Sequence, residues 1–251
     1  MKYCRYLHQN KINWGSIEDN LVYKIEGDIF NSFKVTKQSY LIDEITLLTP
    51  TDFSKAICIG LNYSDHALEM GLELPSSPVV FLKPPTTALE PLGSIIYPKM
   101  ATRVDYEAEL AIVIKQRCKN ISEKQAGDYI LGYSCANDVT ARSLQDPKGQ
   151  WTVAKSFDTF LPYGPFISDE VDPNNLDIVS RLNNEVCQKS NTKNFIFDTF
   201  YLVSYLSQIM TLNPGDIILT GTPGGIGPME IGDTIEVEIE GLGILKNFVS
   251  S

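Results

Sequence analysis

One segment, Asp105-Tyr106-Glu107-Ala108-Glu109-Leu110-Ala111-Ile112-Val113-Ile114, narrows the possible folds more than any other. Strand side chains alternate between two faces. Ala108, Leu110, Ile112 and Ile114 therefore share one face, and Glu107, Glu109, Ala111 and Val113 share the other. Two carboxylates two residues apart stand roughly 6–7 Å apart at their Cα atoms. Without a cation between them they repel, and burial raises their pKa values. The spacing suits a solvent-facing strand end as well as a pair of metal ligands.

Other segments repeat the strand signal. Ala56–Gly60, Val79–Leu82, Ile130–Ala136 and Ile217–Leu219 are short apolar runs, and Thr234–Glu240 alternates Val237 and Ile239 with glutamates before turning at Gly241 to Gly243. Leu21–Ile25 and Ser32–Val35 flank Glu26-Gly27-Asp28 and read as a small antiparallel meander. Helical signals are few. Ser122-Glu123-Lys124-Gln125 is a capping box, and Asp198 caps a helix running to Met210. Seventeen Gly and 14 Pro spread through 251 residues add turns. The pattern predicts a strand-dominated α+β fold, with a small β-meander domain over 1–48 and a larger domain over 49–251.

The formal charge of −10 and the absence of a Lys/Arg cluster argue against nucleic acid as a partner. An acidic protein binds anions only where a local cation reverses the field, which directs attention to metals. Five cysteines form no C-x-x-C pair and lie mostly in apolar surroundings, as buried free thiols in a reducing compartment would. No apolar leader or run of about 18 apolar residues occurs, so the expected location is cytoplasmic, away from membranes.

Asp138 follows an apolar strand. If a helical turn begins there, Asp138, Arg142 and Gln145 align on one face; an N-cap role for Asp138 fits the same residues. With Glu107 and Glu109, Asp138 would complete a hard oxygen site for Mg²⁺, Mn²⁺ or Ca²⁺ rather than zinc. In Gly60-Leu61-Asn62-Tyr63-Ser64-Asp65-His66-Ala67-Leu68-Glu69-Met70-Gly71, Ser64 is a good N-cap and His66 and Glu69 stand three apart. That is a general-base pair or a surface ion pair. Thr220 to Pro228 is a glycine-rich loop but not a P-loop; it suits an anionic substrate near Thr222 or a tight turn. Taken alone, Lys155 reads as a surface lysine.

The stretches GLNYSDHALEMG, PVVFLKPPTT, RVDYEAELAIVI, GYSCANDVTARSLQD, GQWTVAKSFDTFLPYGPFI, LNPGDIILTGTPGGIGP and GDTIEVEIEGLGILKN, in this order, resemble the fumarylacetoacetate hydrolase family from about Lys55 to Phe248. The resemblance implies a mixed β-sandwich roll and a homodimer. It places Glu107, Glu109 and Asp138 on a divalent metal, and makes His66 and Glu69 a catalytic dyad. Lys155 would face the substrate, with Arg142, Gln145 and Thr222 near it. Leu61 stands where some acylpyruvate-cleaving members have Arg. The implied reaction is cleavage of a C–C bond in an acylpyruvate-type 2-oxo acid through an enolate. Isomerisation, tautomerisation or decarboxylation of 2-oxo or 2-hydroxy-dienoic diacids is the alternative, and a non-catalytic metal-binding scaffold is the reading from another class.

Overall fold

The computed structural model describes residues 1–64, 74–146 and 149–251, and within them nineteen strands. The chain opens with the meander β1 (Lys2–His8), β2 (Lys11–Glu18), β3 (Leu21–Gly27) and β4 (Phe33–Leu41), then β5 (Thr46–Leu47). There follow β6 (Ala56–Gly60), β7 (Val79–Lys83), β8 (Ala88–Leu89), β9 (Ser94–Ile96), β10 (Val104–Tyr106), β11 (Ala108–Ile114) and β12 (Ile130–Asn137). The helix α1 (Thr152–Lys155) precedes β13 (Leu161–Ser168), β14 (Asp177–Leu182) and β15 (Glu185–Asn191). After α2 (Thr199–Ile209) come β16 (Ile217–Leu219), β17 (Gly227–Met229), β18 (Thr234–Ile239) and β19 (Gly243–Ser250).

One large sheet runs β4-β3-β2-β1-β13-β12-β11-β16-β6-β7, with β5 added to β1 and β8 to β13. Its path is antiparallel except for β16 beside β6. The meander thus continues the large sheet, because β1 pairs with β13. A second sheet runs β15-β14-β18-β19-β9, and β10 pairs with β17 as a ribbon. This is the strand-dominated α+β architecture that the alternating pattern predicts.

The period-two split of β11 is realised, with both faces buried. Ala108, Leu110, Ile112 and Ile114 join a core with Ile178, Val237, Ile239 and Leu245 of the second sheet. Ala111 and Val113 join a separate core with Ala56, Cys58, Tyr163 and Leu219. The central strand is therefore buried on both faces and apolar but for Glu109, and each fully buried Ile or Leu contributes roughly 1.5–3 kcal/mol. On α2, Leu202, Val203 and Leu206 face the first of these cores, and Asp198 caps the helix by accepting the Tyr201 N–H at 2.8 Å. The Ser122 box opens a 3-10 turn, Glu123–Tyr129, with the Ser122 N–H donating to Gln125 Oε1. Four cysteines are buried, Cys187 is half-buried, and none is paired. Within the described residues no helix is long and apolar enough to cross a membrane.

The backbone changes partners at Glu107. Before it, β10 runs in the ribbon with β17; after it, β11 lies between β12 and β16. Glu107 is held at this junction by two bonds: its N–H donates to Asn137 Oδ1 at 2.9 Å, and its carbonyl accepts from Asp138 N–H at 2.9 Å. The end of β12 is thereby fixed beside the start of β11.

Candidate active site

Glu107, Glu109 and Asp138 converge. Each offers one carboxylate oxygen within 4.8 Å of the others, and all three residues are buried. Glu107 is 6% exposed, Glu109 2% and Asp138 0%, so a solvent-facing strand end is not their setting. Three buried carboxylates repel one another strongly unless cations intervene.

Cations do intervene, though unevenly. Lys155 Nζ lies 2.8 Å from Glu107 Oε2 and 2.6 Å from Asp138 Oδ2. Arg142 Nη2 pairs with Glu107 Oε1, and Lys83 Nζ lies 2.5 Å from Asp138 Oδ1. Glu109 is different. Its Oε2 accepts the Gly221 N–H at 2.7 Å, and no ion pair reaches it among the described residues.

The proton affinities diverge accordingly. Burial pushes both glutamates up, but Lys155 and Arg142 outweigh it at Glu107 and hold that carboxyl below the usual range. At Glu109, burial and the charges of Asp138 and Glu107 add together and push it well above. Burial opposes the charge of Lys155, yet Asp138 and Glu107 reverse this and raise its pKa, so the side chain stays an ammonium.

The donor set suits a hard dication. It consists of carboxylate oxygens without His or Cys, and one member lacks a cationic partner.

Three expectations from the sequence are corrected. No helix starts at Asp138: Thr140 forms a two-way backbone bridge with Asp105 at 2.8 and 3.0 Å, which keeps the chain extended until a 3-10 turn at Arg142–Leu144. Asp138 is accordingly not an N-cap, though Arg142 Nη1 still meets Gln145 Oε1. Lys155 is not a surface lysine; it is 2% exposed, on α1, with its Nζ 5.1 Å from the centre of the Phe81 ring. Arg142 spends its contacts on Asp105, Glu107 and Gln145. Thr222 Oγ1 accepts from Gln188 Nε2 at 2.8 Å. His66 and Glu69 lie outside the described residues.

Two site residues escaped the reading of the sequence. Lys83 ends the apolar β7 and is fully buried; the available signal was period two, which puts it on the face of Phe81. Asp105, also fully buried, clamps Arg103 at 2.8 Å and Arg142 at 2.9 Å, and so backs the arginine that holds Glu107. Asn62 ties the neighbourhood together: its Nδ2 donates to the carbonyls of Thr220 at 2.8 Å and Phe197 at 3.0 Å. Trp151 supplies the carbonyl that accepts the N–H groups of Ala154 and Lys155 at 3.0 Å, and its ring packs 5.2 Å from Phe81, against Gly60.

Comparison with known proteins identifies the family. Residues 55–250 match the family model "Fumarylacetoacetate (FAA) hydrolase C-terminal", and residues 1–50 match "Rv2993c-like, N-terminal". The chain belongs to the fumarylacetoacetate hydrolase family. Its fold matches the 2-hydroxyhepta-2,4-diene-1,7-dioate isomerase of Mycobacterium marinum, with TM-score 0.93, 42% identity and coverage of 100% of this chain and 98% of that one. It also matches the 5-carboxymethyl-2-hydroxymuconate delta-isomerase of Mycobacterium smegmatis, with TM-score 0.94, 39% identity and coverage of 100% and 99%. The mitochondrial oxaloacetate tautomerase fahd2 of Xenopus laevis is 43% identical over 216 residues, 81% of this chain and 68% of its own.

Proposed function

We propose that this protein is a dication-dependent enzyme that interconverts tautomers or double-bond isomers of a small 2-oxo diacid through an enolate. The buried carboxylate triad ringed by Lys83, Arg142 and Lys155 carries the reading, because it fits both a dication and the anionic substrate that a dication would draw in. The relatives named as an oxaloacetate tautomerase, a 2-hydroxyhepta-2,4-diene-1,7-dioate isomerase and a 5-carboxymethyl-2-hydroxymuconate delta-isomerase favour this reaction over C–C hydrolysis.

Glu107, Glu109 and Asp138 would hold the dication, which when bound supplies Lewis acidity toward the carboxylate and 2-oxo oxygens of the acid. Lys155, kept protonated between Glu107 and Asp138, adds positive charge where the enolate develops, the kind of term that dominates many enzymes' rates. Arg142, anchored by Asp105, fixes one oxygen of Glu107, so that carboxylate does not rotate during turnover. On the strength of the family resemblance, His66, with Glu69, would take the proton from the carbon next to the 2-oxo group and deliver it to the enolate oxygen in tautomerisation, or to the far carbon of the conjugated enolate in double-bond isomerisation. On the family resemblance, Gln145 and Thr222 would contribute to the substrate side of the site.

Products distinguish the reactions. With Mg²⁺ or Mn²⁺ present, oxaloacetate and 2-hydroxy-dienoic diacids should change only in tautomer or double-bond position, as followed by NMR. Stoichiometric formation of two acids from acetylpyruvate or fumarylpyruvate, with no effect on the diacids, would replace this reading with C–C hydrolysis.

A further inference from the structure

We infer that Lys83 is a positioning residue that weakens the triad's hold on a dication while adding positive charge beside the substrate. The inference rests on the triad being a dication site.

Lys83 is 0% exposed at the end of β7. A buried lysine is rare unless paired, and a buried ion pair can often be replaced as a whole by apolar groups of similar volume at no cost to folding. Its ammonium is spent on one spot: Asp138 Oδ1 at 2.5 Å and the Val139 carbonyl at 3.0 Å. The other oxygen of Asp138 belongs to Lys155, which arrives on α1. Asp138 is therefore gripped by two ammonium groups from separate elements, and its carboxylate plane is fixed.

The charges balance. Glu107, Glu109 and Asp138 face Lys83, Lys155 and Arg142, three acids against three cations. With Glu109 ionised to bind it, a dication enters a cluster of no net charge and is held less tightly than by a bare triad. Once bound it leaves a net positive centre that favours a 2-oxo diacid and, more strongly, its enolate. Lys83 makes no hydrogen bond or ion pair with Glu107 or Glu109 among the described residues, so removing it shifts the balance while leaving the polar partners of those two carboxylates in place.

Opposite shifts in affinity and turnover are the signature. In Lys83→Met, Mn²⁺ affinity, measured by competition with a fluorescent chelator, should rise roughly tenfold because one repelling charge is gone. The kcat on oxaloacetate should fall by about a hundredfold as the enolate loses that charge. Lys83→Gln, which keeps a donor near Asp138, should show the same pair of shifts and serves if the methionine variant does not fold. Mn²⁺ binding that is unchanged or weaker in a folded variant would overturn the role, as would unfolding of both variants, since Lys83 would then serve folding. Failure of the parent protein to bind Mn²⁺ at all would instead remove the dication reading underneath, and the role with it.

Discussion

The Gly221 backbone N–H donates to Glu109 Oε2 at 2.7 Å, so the glycine-rich loop after β16 orients the one triad carboxylate that lacks an ion pair among the described residues. Gly221 has φ +95°, and a Cβ there would stand 2.9 Å from Asn62 Cβ and 3.1 Å from the Ile59 carbonyl. Gly221→Ala must move the loop or strain it by about 1–3 kcal/mol. Turning the amide away from Glu109 should weaken Mg²⁺ binding by about tenfold or more, since a hydrogen bond to a charged group is worth roughly 1.5–3 kcal/mol. Isothermal titration with Mg²⁺ against the parent protein measures this, and an unchanged affinity would show that the loop does not orient Glu109.

Glu109 also sets a pH dependence. Its pKa is raised in the folded protein, so the folded state holds a proton that the unfolded chain releases near pH 4. That contribution to stability is complete below the ordinary glutamate pKa and is lost as pH rises through the raised value. In EDTA, Glu109→Gln should therefore melt a few degrees higher than the parent at about pH 8, and the advantage should shrink toward about pH 5. Added Mg²⁺ should raise the melting temperature of the parent but not of the variant. Differential scanning calorimetry reads both, and a variant that melts lower at high pH would contradict the assignment.

Lys155 has two carboxylate partners and is buried. Lys155→Met should lower kcat by about 10²–10³-fold, in the range seen when an electrostatic stabiliser is lost. It should also destabilise the metal-free protein by about 3–5 kcal/mol, because Glu107 and Asp138 lose a buried counter-charge. Mg²⁺ should restore much of that stability. Steady-state kinetics together with thermal melts, each with and without Mg²⁺, would separate the two effects; a loss of kcat without the metal-free instability would place Lys155 elsewhere.

Much of this was legible in the sequence, for physical reasons. The alternation in β11 predicted which residues share a face, since period two is enforced by the pleat, but not that both faces are buried. The grouping of Glu107, Glu109 and Asp138 came from their shared oxygen-donor chemistry and the family resemblance, and the structure brings them together because the end of β12 is paired with the start of β11. Strand β13 was harder to see. Pro162, Gly164 and Pro165 read as turn signals, yet Leu161–Ser168 lies inside the large sheet, with β12 on one side and β1 on the other. The register slips between Tyr133 and Cys135 where those residues face it, so the ladder accommodates missing donors. The hairpin of β14 and β15 was overlooked, although Asn183 and Asn184, both with positive φ, mark its turn. Lys83 and Lys155 were obscure because a lysine's burial depends on partners distant in the chain. Asp138 lies 55 residues from Lys83 and 17 from Lys155.

Deuterium uptake from D₂O at the carbon next to the 2-oxo group of oxaloacetate, followed by proton NMR, reports enolate formation whatever the final product. The account predicts rapid exchange with Mg²⁺-loaded protein, loss of exchange in EDTA, recovery when Mg²⁺ is restored, and no enhancement by Glu109→Gln. Exchange at the background rate with Mg²⁺ bound, or equally fast exchange in EDTA, would contradict it.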